Sequence, residues 1–343
     1  NASNRHLKVA LFQRMVKNTH KTIRDQMNKL LPVQLKGQKF QHREITADGS
    51  QRASVAFSKP ETLWFNTGTL CNITCPNCYI HSSPTNNRLV YITSKEVTDF
   101  LDQVSDRNWP LHEIGFTGGE PFMNPEMINL ARVSLSRGYK VLILTNAMQP
   151  MIRKSMQNGL ITLQNNFAER LTLRVSLDHW SAAKHDSERG QGSFLKTLKG
   201  MCWLRDNGIR MTVAGRTVWG ESDAQSRQGY AQLCAENGFE INAGDPAQCV
   251  LFPERDETVE VPEITTACWD ILGKPADSPM CASSRMVVKR KGADSPSVVA
   301  CTLLAYDRRF EMGNTLQEAE SKVWLNHPHC AKFCVLGGAS CSG

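Results

Sequence analysis

The chain has 343 residues and a mass of 38.3 kDa, with 41% hydrophobic and 21% charged residues, a balance that excludes disorder and leaves room for one large α/β unit plus a smaller appendage. Its longest apolar runs, such as residues 141–144, fall far short of the ~18 to 20 residues that cross a bilayer, so no membrane association is expected. The net charge of +7 is uneven, because residues 1–60 carry 12 Lys+Arg against 3 Asp+Glu and the remainder nets about −2.

In that basic arm Leu7, Leu11, Met15, Ile23, Met27 and Leu30 recur at helical spacing, which predicts an amphipathic helix with a basic outer face. It reads as a solvated face or docking strut, ahead of a surface for an acidic partner or nucleic acid. Lys8, Arg14 and Lys17 interrupt residues 7–16 and no small-residue cleavage site follows, so a secretory signal is not read there. Twelve cysteines in such a chain point to metal or redox chemistry rather than to disulfides. Cys202, Cys234 and Cys249 stand alone and read as packed thiols.

From residue 62 strand and helix patterns alternate. Strands are predicted at 63–68, 111–119, 140–147, 171–178, 210–218 and 239–245, and helices at about 95–107, 124–137, 150–160, 192–207 and 222–236. Thr93 to Glu96 makes an N-cap, and Asn124-Pro125-Glu126 opens the next helix. Six βα units imply a parallel sheet closed as a partial barrel, with its chemistry at the C-terminal strand ends. After about Pro253 an acidic loop leads into cysteines at 268, 281, 301, 330, 334 and 341, with a β-hairpin predicted over 284–291 and 297–303.

Strand one runs into Cys71-Asn72-Ile73-Thr74-Cys75-Pro76-Asn77-Cys78. Three thiolates in this spacing can each bind one iron of a [4Fe–4S] cube and leave the fourth iron open, the property that separates catalytic from structural metal sites. A zinc knuckle completed by His81 is the alternative. Strand two ends in Thr117-Gly118-Gly119-Glu120-Pro121, one βα unit later.

Together these segments resemble the CxxxCxxC and GGEP motifs of the radical S-adenosylmethionine (SAM) superfamily. Strand three ends in Thr145-Asn146-Ala147, where the family often has Thr-Asn-Gly. Val175-Ser176-Leu177-Asp178 with His185-Asp186-Ser187-Glu188-Arg189-Gly190 resembles a segment of the subgroup with an added SPASM or twitch domain. The resemblance implies an α/β partial (β/α)6 TIM-like barrel at 61–250, a small C-terminal cysteine-rich α+β twitch/SPASM-like domain at 251–343, and the basic helical arm at 1–60. It implies SAM contacts from Thr117, Gly118, Gly119, Glu120, Asn146 and Tyr79, with Glu120 accepting from the methionyl ammonium. Ser176 and Arg189 would hold the ribose or carboxylate. Asp178 also reads as a capping or turn residue. Asn77 departs from the aromatic residue usual before the third cysteine, so the loop's adenine contact would come from its backbone.

The tail resembles the auxiliary-cluster domain, in its one-cluster twitch form, which implies a second [4Fe–4S] cluster on Cys281, Cys301, Cys330 and Cys334 with Cys268 and Cys341 as substitutes. A zinc site is the alternative there. Sulfatase maturases of the family carry an acid after the position of Cys301, where this chain has Thr302. The implied activity is reductive cleavage of SAM to a 5′-deoxyadenosyl radical that abstracts a substrate hydrogen, in the oxidation or rearrangement of a small molecule. A ribosomal-peptide maturase and a non-enzymatic metal-binding adaptor are the alternatives. The implied partners are a flavodoxin- or ferredoxin-like electron donor and a reducing cytoplasm. His179, His185, Glu221 and Asp245, near predicted strand ends, are the remaining candidates for acid–base work.

Overall fold

The structure, a computed structural model, describes residues 39–253 and 259–337. The helix expected in the arm and Cys341 lie outside the described residues. Ten strands are formed: β1 (Ser54–Val55), β2 (Thr62–Asn66), β3 (Glu113–Thr117), β4 (Lys140–Thr145), β5 (Leu171–Ser176), β6 (Met211–Arg216), β7 (Cys249–Phe252), β8 (Ser284–Val288), β9 (Ser297–Val299) and β10 (Val323–Trp324). The helices between them are α1 (Ser94–Asp106), α2 (Met127–Ser136), α3 (Lys154–Phe167), α4 (Ala182–Arg189), α5 (Ser193–Asp206), α6 (Asp223–Asn237) and α7 (Cys268–Leu272).

β2 to β7 pair in parallel and in chain order, as alternating βα units require. The period-2 alternation of each strand divides the core. Leu63 and Phe65 pack outward under the helices, whereas Trp64 turns inward among Leu89, Leu142 and Met286. The predicted N-cap of α1 is a full capping box, Thr93 with Glu96.

Two expectations are corrected. The sixth strand is not 239–245. That segment turns on itself, with Asn242 accepting from the amide of Gly244 and Asp245 from that of Ala247, and the strand forms at Cys249–Phe252 instead. Helix α4 was also not foreseen, because its eight residues, Ala182–Arg189, bury only His185 and Glu188 and so carry no apolar stripe.

The tail hairpin forms, β8 antiparallel to β9, but β8 also pairs in parallel with β2 and extends the barrel sheet to eight strands. At the other side β1 pairs with β10. Both pairings cross the expected domain boundaries. Arg52, fully buried, fastens residues 39–60 to the tail through an ion pair to Glu263 at 2.5 Å and a hydrogen bond to the Leu325 carbonyl at 3.3 Å.

Trp64 sits beside Gly115 in the β2–β3 register, and a Cβ at residue 115 would lie 2.4 Å from the indole. Gly115→Ala is therefore expected to destabilise the fold by about 1 to 3 kcal/mol, the usual penalty of overpacking, measured as a lower urea midpoint with unchanged m-value.

Candidate active site

The cysteine loop and the Gly-Gly loop are built against each other. The amides of Gly119 and Glu120 donate to the carbonyls of Gly68 (2.8 Å) and Leu70 (3.0 Å), and Thr67 donates through its amide to Thr117 at 2.7 Å. A Cβ on Gly119 would stand 2.1 Å from the Leu70 carbonyl oxygen, and Gly118 has φ +150°, which side chains rarely adopt. The close approach that demands these glycines is thus between the two loops, not only to a ligand. It carries Cys71, Cys75 and Cys78 to one cavity at the C-terminal ends of β2 to β6, lined also by Thr117, Gly118, Gly119, Tyr79, Asn146, Ser176 and Arg189.

Asn146 ties this rim together: its Nδ2 donates to Asn72 at 2.9 Å and lies 4.0 Å from Cys71 Sγ. The next residue, Ala147, holds φ +57°, a conformation that glycine adopts without cost and that accounts for the glycine usual there. Burial pushes the Cys71 thiol up to about 12 and that of Cys75 upward, the latter opposed by the charge of Arg189.

The structure places Glu120 differently from the expectation. Glu120 is not among the residues that line the cavity, and its carboxylate bridges strand ends, accepting from Thr145 Oγ1 (2.8 Å), the Asn146 amide (2.8 Å) and the Phe122 amide (3.2 Å). Burial outweighs these bonds and raises the carboxyl to about 7. Arg189 grips Asp178 with two nitrogens, at 2.8 and 3.0 Å, so Asp178 is an ion-pair partner and neither a cap nor a turn residue. Asn77 is used within the protein, its amide on Glu188 and its carbonyl on Arg216 Nη2 at 2.8 Å. Tyr79 donates to the Pro253 carbonyl at 3.2 Å, and its ring stacks edgewise on Phe252 and Phe333.

His81, His179, His185, Glu221 and Asp245 do not line the cavity. His179 bonds Glu221 at 3.0 Å and accepts from the Ser181 amide, a loop brace. Burial holds His185 down to about 4 and thus neutral, and Asp245 caps its own turn. Cys234 and Cys249 are buried thiols as expected, pushed up by burial to about 11 and about 12.

Sequence reasoning missed Arg216, the last residue of β6. Its Nε is 3.4 Å from Asp178, its Nη2 holds the Asn77 carbonyl and its guanidinium carbon lies 5.2 Å from the Tyr79 ring centre. An arginine closing a strand has no signature in a single sequence.

A family model described as Radical SAM superfamily matches residues 65–226. Residues 65–226 thus carry a radical SAM domain. It is 30% identical over 179 residues to the antilisterial bacteriocin subtilosin biosynthesis protein AlbA of Bacillus subtilis, covering 52% of this chain and 37% of AlbA. It is 30% identical over 138 residues to the AdoMet-dependent heme synthase of Methanosarcina barkeri, covering 39% and 36% of the two chains. The chain thus spans little more than a third of these curated relatives. Its fold resembles that of Streptococcus suis SuiB bound to S-adenosylmethionine (TM-score 0.55, 14% identity, 75% of this chain and 63% of that one). It also resembles native anSMEcpe with bound AdoMet (TM-score 0.55, 15% identity, 80% and 84%). A radical SAM domain implies a [4Fe–4S] cluster that binds SAM.

The radical SAM cavity fits such groups. Three thiols face it, Ser82 donates its amide to Cys78 Sγ at 3.3 Å, and its buried hydroxyl has no protein partner.

The tail has a second cavity. Cys281, Cys301, Cys330 and Cys334 all line it, together with Leu303 and Phe310. Cys268 does not; its sulfur accepts from the Thr265 amide at 3.4 Å.

A carboxyl raised from 4.5 to about 7 keeps in the folded state a proton that the unfolded chain has lost. Stability therefore falls as pH rises through that window, by about 3 kcal/mol at most. Glu120→Gln is expected to remove this slope, read as the difference in urea midpoints of the cluster-free proteins between pH 4.5 and 7.5.

Proposed function

We propose that the chain is a radical SAM enzyme that cleaves SAM reductively and removes a hydrogen atom from its substrate, most simply in an oxidation or rearrangement. The observation that carries the reading is the convergence of Cys71, Cys75 and Cys78 with Gly118 and Gly119 on one cavity at the strand ends. When bound, the cluster and SAM supply an electron and a 5′-deoxyadenosyl radical, chemistry that belongs to the cofactor. The chain's own residues hold and shield it. Asn146 and Ser82 steady the thiols, Ser176 and Arg189 border the SAM side of the cavity, and the Asp178 carboxylate fixes Arg189 in place. Tyr79, Phe252 and Leu303 wall the cavity with apolar surface, which excludes water from a reactive site.

In the same reading the four cysteines of the second cavity hold an auxiliary [4Fe–4S] cluster. Leu303 lines both cavities, so the two sites adjoin, which supports a role for the auxiliary cluster in accepting an electron from a substrate radical. Residues 251–343 then act as the auxiliary-cluster unit, although their sheet is continuous with the barrel. A flavodoxin- or ferredoxin-like protein supplies the electron, in a reducing compartment such as the cytoplasm. A second reading, peptide maturation, is supported by the similarity to a bacteriocin biosynthesis protein and by the fold shared with SuiB bound to its precursor peptide SuiA. No helix among the described residues is long and apolar enough to cross a membrane.

After anaerobic reconstitution the chain is expected to bind roughly eight irons and to form 5′-deoxyadenosine with dithionite. Cys75→Ala abolishes that product, and Cys281→Ala combined with Cys330→Ala lowers the iron to roughly four while leaving some SAM cleavage. A wild-type protein that binds iron and forms no 5′-deoxyadenosine contradicts the assignment.

A further inference from the structure

The SAM cavity contains donors that the reading above does not use. Trp64 Nε1 and Arg216 Nη1 are both buried, on side chains 0% and 7% exposed, and neither has a partner in the protein. A buried donor left unpaired is costly and is generally explained by a bound group. Arg216 makes the case most sharply. Its Nε faces Asp178 at 3.4 Å, its Nη2 is fixed on the Asn77 carbonyl and its face lies against Tyr79, so the guanidinium is held in orientation with a single nitrogen to spare. Asp178 is already engaged by two nitrogens of Arg189, which leaves Arg216 with charge to offer a ligand.

The two donors stand on different strands of the cavity wall. Trp64 is the third residue of β2, packed in the barrel lumen with Leu142 and Met286, and lies well before Cys71 in the chain. Arg216 rises from β6, four strands away across the sheet. Leu144, Ala214 and Gly215 line the space between as apolar or small surface. A molecule seated there meets a residue of β2 and another of β6, each with a donor that the protein leaves unpaired.

We propose that Arg216 Nη1 anchors a carboxylate on the substrate and that Trp64 Nε1 donates to a second oxygen of the same molecule. This assignment rests on the radical SAM reading and adds to it a substrate class, a carboxylate-bearing molecule with a further carbonyl or carboxylate oxygen. Arg suits the role because its planar fork matches a carboxylate, and charge-assisted bonds are the strong ones.

The test uses the reconstituted, SAM-loaded full chain under anaerobic conditions. N-acetylglycine and its uncharged counterpart N-acetylglycinamide are titrated by saturation-transfer NMR, and SAM binding is measured in parallel by equilibrium dialysis. The acid is expected to bind at least about fivefold tighter than the amide to the wild type, a comparison that needs no variant. Arg216→Gln abolishes that preference, and Trp64→Phe weakens both probes by about fivefold while leaving SAM affinity within about twofold. Equal binding of acid and amide by the wild type, binding of neither, or a preference for the acid that survives Arg216→Gln overturns the proposal. A wild type that fails to bind SAM defeats the underlying assignment instead, so the two failures are distinguishable.

Discussion

Gly68 to Leu70 and Gly118 to Glu120 lie backbone against backbone, and the placement of everything chemical follows from that contact. One loop leaves β2 carrying three cysteines. The other leaves β3 with no side chain at the two positions where a Cβ would strike the first loop. Because the strands are parallel neighbours, their C-terminal ends emerge side by side, and the loops can pair as an irregular continuation of the sheet. Glu120 then pins the β3 end to the β4 end from behind, and Asn146 at β4 reaches back to the cysteine loop.

The side of the cavity facing β5 and β6 is organised by charge. Asp178 is buried between Arg189 and Arg216. Removing one partner of such a buried set generally costs about 3 to 5 kcal/mol, because the remaining charges are left without a counterion. The carboxylate, itself on the cavity lining, orients one arginine from α4 and another from β6.

Much of this was legible in the sequence for a chemical reason. Cluster ligands must be cysteines, their spacing is set by the cube they wrap, and glycine is required where two backbones touch, so Cys71, Cys75, Cys78, Gly118 and Gly119 could be read directly. Cys281, Cys301, Cys330 and Cys334, the set that the resemblance implies, line one cavity. What could not be read depends on long-range placement. The parallel pairing of β8 with β2 joins residues more than 200 positions apart, which no local pattern encodes. Residues 239–245 have strand-like composition, but their Asn and Asp side chains satisfy the backbone locally and win over the sheet. Glu120 and Asp178 were recognised as important, yet their partners, and hence their tasks, appear only once β4, α4 and β6 are in place.

The central claim is that three thiolates hold a cluster whose fourth iron is open to SAM. Electron paramagnetic resonance of the dithionite-reduced protein, with and without SAM, tests it most directly. The account predicts a reduced-cluster signal that shifts when SAM is added and that, in a Cys71/Cys75/Cys78 triple alanine variant, loses its SAM-sensitive part. A signal indifferent to SAM, or a SAM-sensitive signal that survives the triple substitution, contradicts it.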